Sequence, residues 1–222
     1  MIDHEEFSKI NMERLEYFDS HYRVVADYTL IDTKPIYLND HALVRDRACR
    51  FCGKGIPEVT FRKVAHAVPE FLGNKSIVSM NECDKCNEFL ANEYEDHLAK
   101  WFGPSRTLTQ VKGKKGIPTY KADGVRVEMG DDGLVFHLQE DKGNFEFPKS
   151  GPFDYEPIKN IKTQPYVPIR AAQALVKAGC SLVPKNLLPI CQRAIDWLMK
   201  RVDVGLSDFP VLYSFTPGPN PY

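Results

Sequence analysis

The chain has 222 residues, of which 43% are hydrophobic and 27% are charged, so wholesale disorder and fibrous repeats are excluded. It carries 29 Lys and Arg against 30 Asp and Glu, so any nucleic-acid binding has to come from a local patch. No apolar run approaches the roughly 18 residues that a membrane span needs, and the acidic start lacks the layout of a signal peptide. We therefore expect a cytoplasmic protein without a membrane partner.

The first half of the chain predicts helices and short strands around a block that is framed by cysteines. Apolar positions at near-helical spacing indicate the helices, and short apolar runs between Asp, Pro, Asn and Gly indicate the strands. In chain order the predicted elements are an amphipathic helix over 3–19, strands or extended segments over 22–48, strands at 59–65 and 77–81 with a loop at 70–76, and a helix from about 84 to 101 that ends at Gly103-Pro104.

The second half predicts strands followed by helices. Its predicted elements are strands over 107–148 with hairpin turns at Asp123-Gly124 and Asp132-Gly133, a proline-rich crossing segment over 148–168, helices at 169–179 and 185–201, and a strand at 209–215. The fold class is therefore α+β. We divide the chain into an N-terminal helix with extended segments (1–48), a cysteine-framed module (49–102), a β-rich segment with a basic patch (103–148), and a crossing segment with two helices and a terminal strand (149–222).

Four of the six cysteines form two pairs with two residues between the members of each pair: Cys49 with Cys52 and Cys83 with Cys86. In a reducing compartment this spacing predicts a tetrathiolate zinc site, because two tight knuckles complete a tetrahedron with Zn–S distances of about 2.3 Å. Such a closed site is structural. The alternatives are unrelated thiol pairs or a redox pair of the thioredoxin type. The two single cysteines, Cys180 and Cys191, lie in apolar helical sequence and are predicted to be buried small hydrophobes.

Three motifs carry a resemblance to a known family: CRFCG at 49–53, AHAVPEFLGN at 65–74 and ECDKCN at 82–87. Over about residues 49–102 the chain resembles the HNH endonucleases, of the His-Me or ββα-metal type on a treble-clef zinc framework. The resemblance implies a metal-dependent endonuclease, with DNA as the favoured substrate. His66 would be the general base, and a neutral imidazole suits that role near physiological pH.

The resemblance also implies a divalent ion such as Mg²⁺, Mn²⁺ or Ni²⁺ at the phosphate, with Asn87 as one of its ligands. For the middle asparagine of the family motif, Asn74 and Asn81 are both candidates, and we favour Asn74 because a loop asparagine can brace the backbone around His66. Ala65 stands where the family often has a metal ligand, and Glu70 is a candidate to replace that carboxylate. Because alanine at position 65 offers no carboxylate to the ion, we expect weaker activity with Mg²⁺ than with later transition metals.

A basic segment follows the cysteine-framed module, and we predict that it contacts nucleic-acid phosphates. Its candidate residues are Arg106, Lys112, Lys114 and Lys115. The alternative is a solvated strand edge that is protected by lysines. Two further hypotheses remain open for the whole chain: a non-catalytic zinc module that binds nucleic acid, and a protein-interaction subunit of a larger defence or mobile-element system.

Overall fold

The computed structural model describes residues 4–29, 34–41, 43–113, 116–122, 124–138 and 164–203. The architecture is α+β, as predicted, with two three-stranded sheets and a set of helices. The strands are β1 (Ile36–Leu38), β2 (Ala65–His66), β3 (Ile77–Ser79), β4 (Tyr120–Ala122), β5 (Val125–Gly130) and β6 (Gly133–Leu138). The helices are α1 (His4–His21), α2 (Asp84–Leu90), α3 (Asp96–Phe102), α4 (Ser105–Leu108), α5 (Pro168–Leu182) and α6 (Gln192–Leu198).

The first sheet has the order β1-β3-β2, with β3 in the centre. β1 pairs with β3 in parallel and β2 pairs with it antiparallel, so that His66 lies opposite Val78. All three residues of β3 are buried, in agreement with the strand predicted at 77–81. β2 is an edge strand of only two residues, and it carries the histidine that the sequence singles out.

The strand predicted at 59–65 is wrong over most of its length, since regular strand structure begins only at Ala65. The reason lies in the carboxylate of Asp84, which accepts the backbone N–H groups of Arg62 and Lys63 at 2.7–3.1 Å. These donors are therefore used by a side chain at the start of α2 instead of by a neighbouring strand. The contact holds the segment before β2 against the second cysteine pair.

The helix predicted from about 84 to 101 is confirmed, although it is not a uniform α-helix. A π-helical turn at Ala91–Glu95 joins α2 to α3, and Gly103, with a φ of 51°, ends the run. Leu90, Tyr94 and Leu98 are at most 1% exposed and share one face because they are spaced by four residues. This face packs into the main core, and the Tyr94 hydroxyl donates to the carbonyl of Leu198 on α6 at 2.6 Å.

The second sheet is an antiparallel meander of β4, β5 and β6. Both predicted hairpins are present: β4 pairs with β5 up to Ala122 opposite Val125, and β5 pairs with β6 from Gly130 opposite Gly133. The second turn lies at residues 131–132, one residue before the predicted Asp132-Gly133, because Gly133 already belongs to β6. Asp123 of the first predicted turn lies outside the described residues. Tyr120, Val125 and Val127 form a small core of their own. Residues between 139 and 163, and the strand predicted at 209–215, lie outside the described residues.

The predicted C-terminal helical pair is present, but its second helix is shorter than the predicted 185–201. Residues Lys185–Cys191 form 3-10 turns, and α6 begins only at Gln192. Pro189 explains the difference, since proline lacks the N–H that an α-helical interior requires. Cys180 is buried and Cys191 is half-buried against the same core, as predicted for small hydrophobes. Within the described part of the chain no helix is long and apolar enough to cross a membrane.

Arg50, inside the first cysteine pair, attaches the C-terminal helices to the cysteine-framed module. Its Nη1 points at the carbonyl oxygens of Cys180, Ser181 and Val183 at 2.8–3.1 Å, and thereby satisfies the last turn of α5. The same guanidinium forms a two-pronged pair with Asp40 at 2.6 Å, and both side chains are at most 8% exposed. One cation therefore joins the first cysteine loop, the end of α5 and the segment after β1.

We expect Arg50→Met to lower the free energy of unfolding by about 3–5 kcal/mol, because it leaves Asp40 as an unpaired buried charge. Urea denaturation followed by circular dichroism measures the change. Arg45→Met is the matched control, since Arg45 is 82% exposed and its ion pair is a surface contact with Asp46 at 3.8 Å. A loss below about 1 kcal/mol for Arg50→Met would contradict the anchoring role.

Candidate functional site

The two cysteine pairs meet in space. The sulfur atoms of all four residues lie within 4.8 Å of one another, and the cluster is buried or half-buried. Gly53 makes the first turn possible, since its φ of 73° belongs to the left-handed region, and its N–H donates to the carbonyl of Cys49 at 2.8 Å. In the second pair Cys83 is the N-cap residue of α2, and its N–H points at the sulfur of Cys49 at 3.4 Å. The arrangement is a tetrathiolate donor set of the kind that binds zinc.

The protonation equilibria of these thiols are strongly coupled. Hydrogen bonding from the Cys86 thiol and from backbone N–H groups lowers the pKa of Cys49 to about 5. Burial raises the pKa of Cys83 to about 11, and the shared hydrogen bond with Cys49, together with burial, raises the pKa of Cys86. Four thiolates so close together repel one another, so full deprotonation requires a cation at the centre.

His66 sits on edge strand β2, and its side chain is 25% exposed. Its Nδ1 is buried and has no hydrogen-bond partner among the described residues. Its Nε2 faces the carboxylate of Glu70 at 3.9 Å, a separation too long for a direct hydrogen bond and short enough for an ion pair when the imidazole is protonated. The imidazole therefore has one nitrogen turned towards a half-exposed acidic group that the sequence singled out as a candidate metal ligand.

Asn74 is completely buried and braces the turn that follows His66. Its side-chain amide donates to the carbonyl oxygens of Val68 and Ile77 at 2.7 and 3.0 Å, and its Oδ1 accepts the N–H groups of Ser76 and Ile77. All the hydrogen-bonding groups of this side chain are thus directed at the loop between β2 and β3. The geometry agrees with a bracing role, and it directs no atom of Asn74 towards a substrate.

The other two asparagines differ in their surroundings. Asn81 is buried and ties the end of β1 to the second cysteine pair, since its side chain bonds Asp40 N and Leu38 O at 3.0 and 3.2 Å. Asn87 lies in the first turn and a half of α2, is half-exposed, and makes no side-chain hydrogen bond within the described part of the chain. The N-cap position of α2 is occupied by Cys83, so Asn87 does not cap the helix. Its amide oxygen is therefore free to bind a ligand.

A buried ionic cluster lies behind His66 and was not predicted from the sequence. The ammonium of Lys177 on α5 donates to the backbone carbonyl of His66 at 2.9 Å. It also lies 3.3 Å from the carboxylates of both Glu82 and Glu95. Burial raises the pKa of Glu82 to about 7, against the attraction of the Lys177 ammonium. Two features of the sequence could have indicated this cluster: Lys177 lies in an otherwise apolar helical segment, and Glu82 directly precedes Cys83. The periodicity of the sequence does not show that these two residues are in contact.

The predicted basic patch is only partly described. Arg106 is half-buried, donates from Nε to the carbonyl of Phe71 at 3.1 Å and stacks over that ring at 4.8 Å, so it holds the turn beside Glu70. Burial lowers the pKa of Arg106. Lys112 is exposed, and Lys114 and Lys115 lie outside the described residues. Contact of these residues with nucleic acid stays a prediction.

Comparison with known families gives one match. Residues 49–102 match the family model described as HNH endonuclease, over the same residues for which the sequence resembles that family, and the resemblance is thereby confirmed. The match covers the cysteine cluster, β2, β3 and the helix run from α2 to α3. A search of curated proteins found no match, and neither did a search of solved structures.

We expect the purified protein to contain about one zinc ion per chain, bound by Cys49, Cys52, Cys83 and Cys86. Structural zinc contributes on the order of 10 kcal/mol of apparent folding free energy in small domains, so Cys83→Ser should sharply lower the melting temperature. Elemental analysis and thermal melting with and without a chelator measure both effects. Cys191→Ser is the control, because Cys191 lies outside the cluster. A folded, untreated sample without bound metal would contradict the site.

Proposed function

We propose that this protein is a metal-dependent endonuclease of the HNH type that hydrolyses phosphodiester bonds in DNA. The observation that carries the proposal is the placement of His66 beside Glu70, on a β2–β3–α2 unit held at both ends by the cysteine cluster. This order of elements supports the proposal of a ββα unit on a treble-clef zinc framework. The family match over residues 49–102 supports the class of reaction.

In the proposed mechanism His66 takes a proton from the attacking water. Its Nε2 lies 3.9 Å from the carboxylate of Glu70, so a water bound beside this pair can be held by the carboxylate while the imidazole accepts its proton. Asn74 acts indirectly, because it fixes the loop on which Glu70 is carried. Arg106 supports the same loop from the other side by binding the carbonyl of Phe71. The base and its carboxylate partner thus have their separation set by a braced turn.

A divalent ion would stabilise the negative charge that develops on the phosphate and on the leaving oxygen. Glu70 and Asn87 are the proposed ligands, since both are half-exposed and offer oxygen donors. Ala65 offers no ligand atom and is 1% exposed, so the carboxylate that the family often has before the base is absent here. Glu70 supplies a carboxylate from the following turn instead. Ions such as Mg²⁺, Mn²⁺ and Ni²⁺ are all compatible with oxygen and amide donors.

A non-catalytic zinc module that binds nucleic acid is the second candidate. The observation that favours it is the combination of a buried Ala65 with an Asn74 whose polar atoms are all used within its own loop. Under this interpretation the cysteine cluster and the ββα unit only present a surface to nucleic acid. The two candidates make opposite predictions for cleavage, which the next two experiments measure.

We expect His66→Ala to abolish nicking of supercoiled plasmid while zinc content and melting temperature remain at wild-type values. The base acts only in the chemical step, so DNA affinity, measured by fluorescence anisotropy, should also be preserved. His137→Ala is the matched control, since His137 lies on β6 and pairs with Glu128 at 2.9 Å. Nicking by His66→Ala at the wild-type rate would assign the base to another residue.

We expect Glu70→Gln to raise the metal concentration for half-maximal nicking by about tenfold or more, because a neutral amide binds a hard cation less strongly than a carboxylate. Titration of wild type and variant with Mg²⁺ and with Mn²⁺ measures the change. Glu58→Gln is the control, since Glu58 is 64% exposed and its recorded partner is Lys54. Identical titration curves for Glu70→Gln and wild type would exclude Glu70 as a ligand. If wild-type protein does not cut plasmid with any divalent metal, the non-catalytic module is favoured.

A further inference from the structure

Lys177 is a buried lysine, and its ammonium group is surrounded by oxygen atoms that can accept hydrogen bonds or carry negative charge. It is 1% exposed and lies on α5, 111 residues after His66 in the chain. An ammonium has three N–H donors. This ammonium donates a hydrogen bond to the His66 carbonyl at 2.9 Å and forms ion pairs with the Glu82 and Glu95 carboxylates, whose nearest oxygens lie at 3.3 Å each. The three acceptors belong to β2, to the residue before the second cysteine pair, and to the π-helical turn.

Stability alone gives no reason for a charged group at this position. Replacing a buried ion pair by well-packed apolar side chains is often neutral or stabilising, because the charges lose their hydration on burial. An apolar side chain could fill the space between α5 and the π-helical turn, but it could not hold a carbonyl group in place. What the ammonium adds is therefore a directional restraint on the backbone of His66.

The strand that carries His66 depends on such a restraint. β2 has two residues, and within the described structure it pairs only with β3. The segment before it is held by Asp84, and the loop after it is braced by Asn74. The hydrogen bond from Lys177 acts between these two supports, on the residue whose ring faces Glu70.

We propose that Lys177 is a positioning residue of the nuclease site. Through its ion pairs with Glu82 and Glu95, it sets the position of the His66 backbone relative to the helix run from α2 to α3. The inference rests on the proposed function. It makes helix α5 a necessary part of the site, although α5 lies outside residues 49–102. Its physical basis is that one ammonium fixes the distance between the strand that carries the base and the helix run that carries Asn87.

The main test is the double variant Lys177→Met with Glu82→Gln, which removes the ammonium without leaving Glu82 as an unpaired buried charge. Steady-state plasmid nicking gives kcat and KM, and NMR of ¹⁵N-histidine-labelled protein reports the His66 ring directly. Zinc content and melting temperature establish that each variant is folded. Lys185→Met is the matched control, because Lys185 also donates to a backbone carbonyl, that of Asp40 at 2.9 Å, away from β2.

We expect the double variant to lose at least tenfold in kcat with KM within twofold of wild type, and to show shifted His66 ring resonances. Lys185→Met should match wild type in kcat, KM and the His66 resonances. Wild-type kcat and an unshifted His66 signal in a folded double variant would overturn the proposal. If the double variant does not fold, Lys177→Arg tests the proposal instead, because arginine keeps the positive charge but displaces the donor nitrogen. A lowered kcat with shifted His66 resonances would support the positioning role. Wild-type values of kcat and of the His66 resonances would overturn it.

Failure of the proposed function has a different signature. In that case wild-type protein nicks no plasmid with any divalent metal, and kinetics give no comparison. The NMR measurement still decides the positioning role, because shifted His66 resonances in the folded variant show that Lys177 holds the β2 backbone. Unshifted resonances would overturn the role of Lys177 independently of catalysis.

Discussion

Four cysteine sulfurs lie within 4.8 Å of one another, and this cluster joins the two ends of the segment that carries the candidate site. Thiolates at such distances repel one another strongly in a buried setting, so the cluster is suited to hold a cation that offsets the repulsion. The cluster joins the loop at Cys49 to the start of α2 at Cys83. The segment between Cys49 and Cys83, which includes β2 and β3, is therefore a closed loop whose conformational freedom is reduced.

Two cationic side chains that lie far apart in the sequence connect the cysteine-framed module to helix α5. Arg50, within the first cysteine pair, holds the last carbonyls of α5, and Lys177, on α5 itself, holds the carbonyl of His66. The C-terminal helices are thus connected to the cysteine-framed module by charge-assisted hydrogen bonds as well as by the shared apolar core. Both cations are buried, and removing either one would leave a buried carboxylate, that of Asp40 or Glu82, without its ion-pair partner. The region around residues 49–102 is consequently one part of a larger packed unit.

The site itself combines rigid support with exposed chemistry. Asn74 and Asn81 are fully buried, and their side chains form hydrogen bonds with backbone groups. In contrast, His66, Glu70 and Asn87 remain partly accessible to solvent. This division follows from the cost of burying polar groups without partners. The side chains that are satisfied internally hold the loops, and the side chains that lack full internal satisfaction are the ones able to bind a substrate or an ion.

Features that depend on local spacing are predictable from the amino-acid sequence: the cysteine pairs, the helix from Asp84, the two hairpins of the second sheet and the family resemblance over residues 49–102. Each follows from residue types a few positions apart, which a linear pattern records. Long-range packing, in contrast, brings the Asp84 carboxylate to the backbone N–H groups of Arg62 and Lys63, and brings the Lys177 ammonium to the carbonyl of His66. Contacts of this kind join residues 21–111 positions apart, and they depend on packing that no local periodicity encodes.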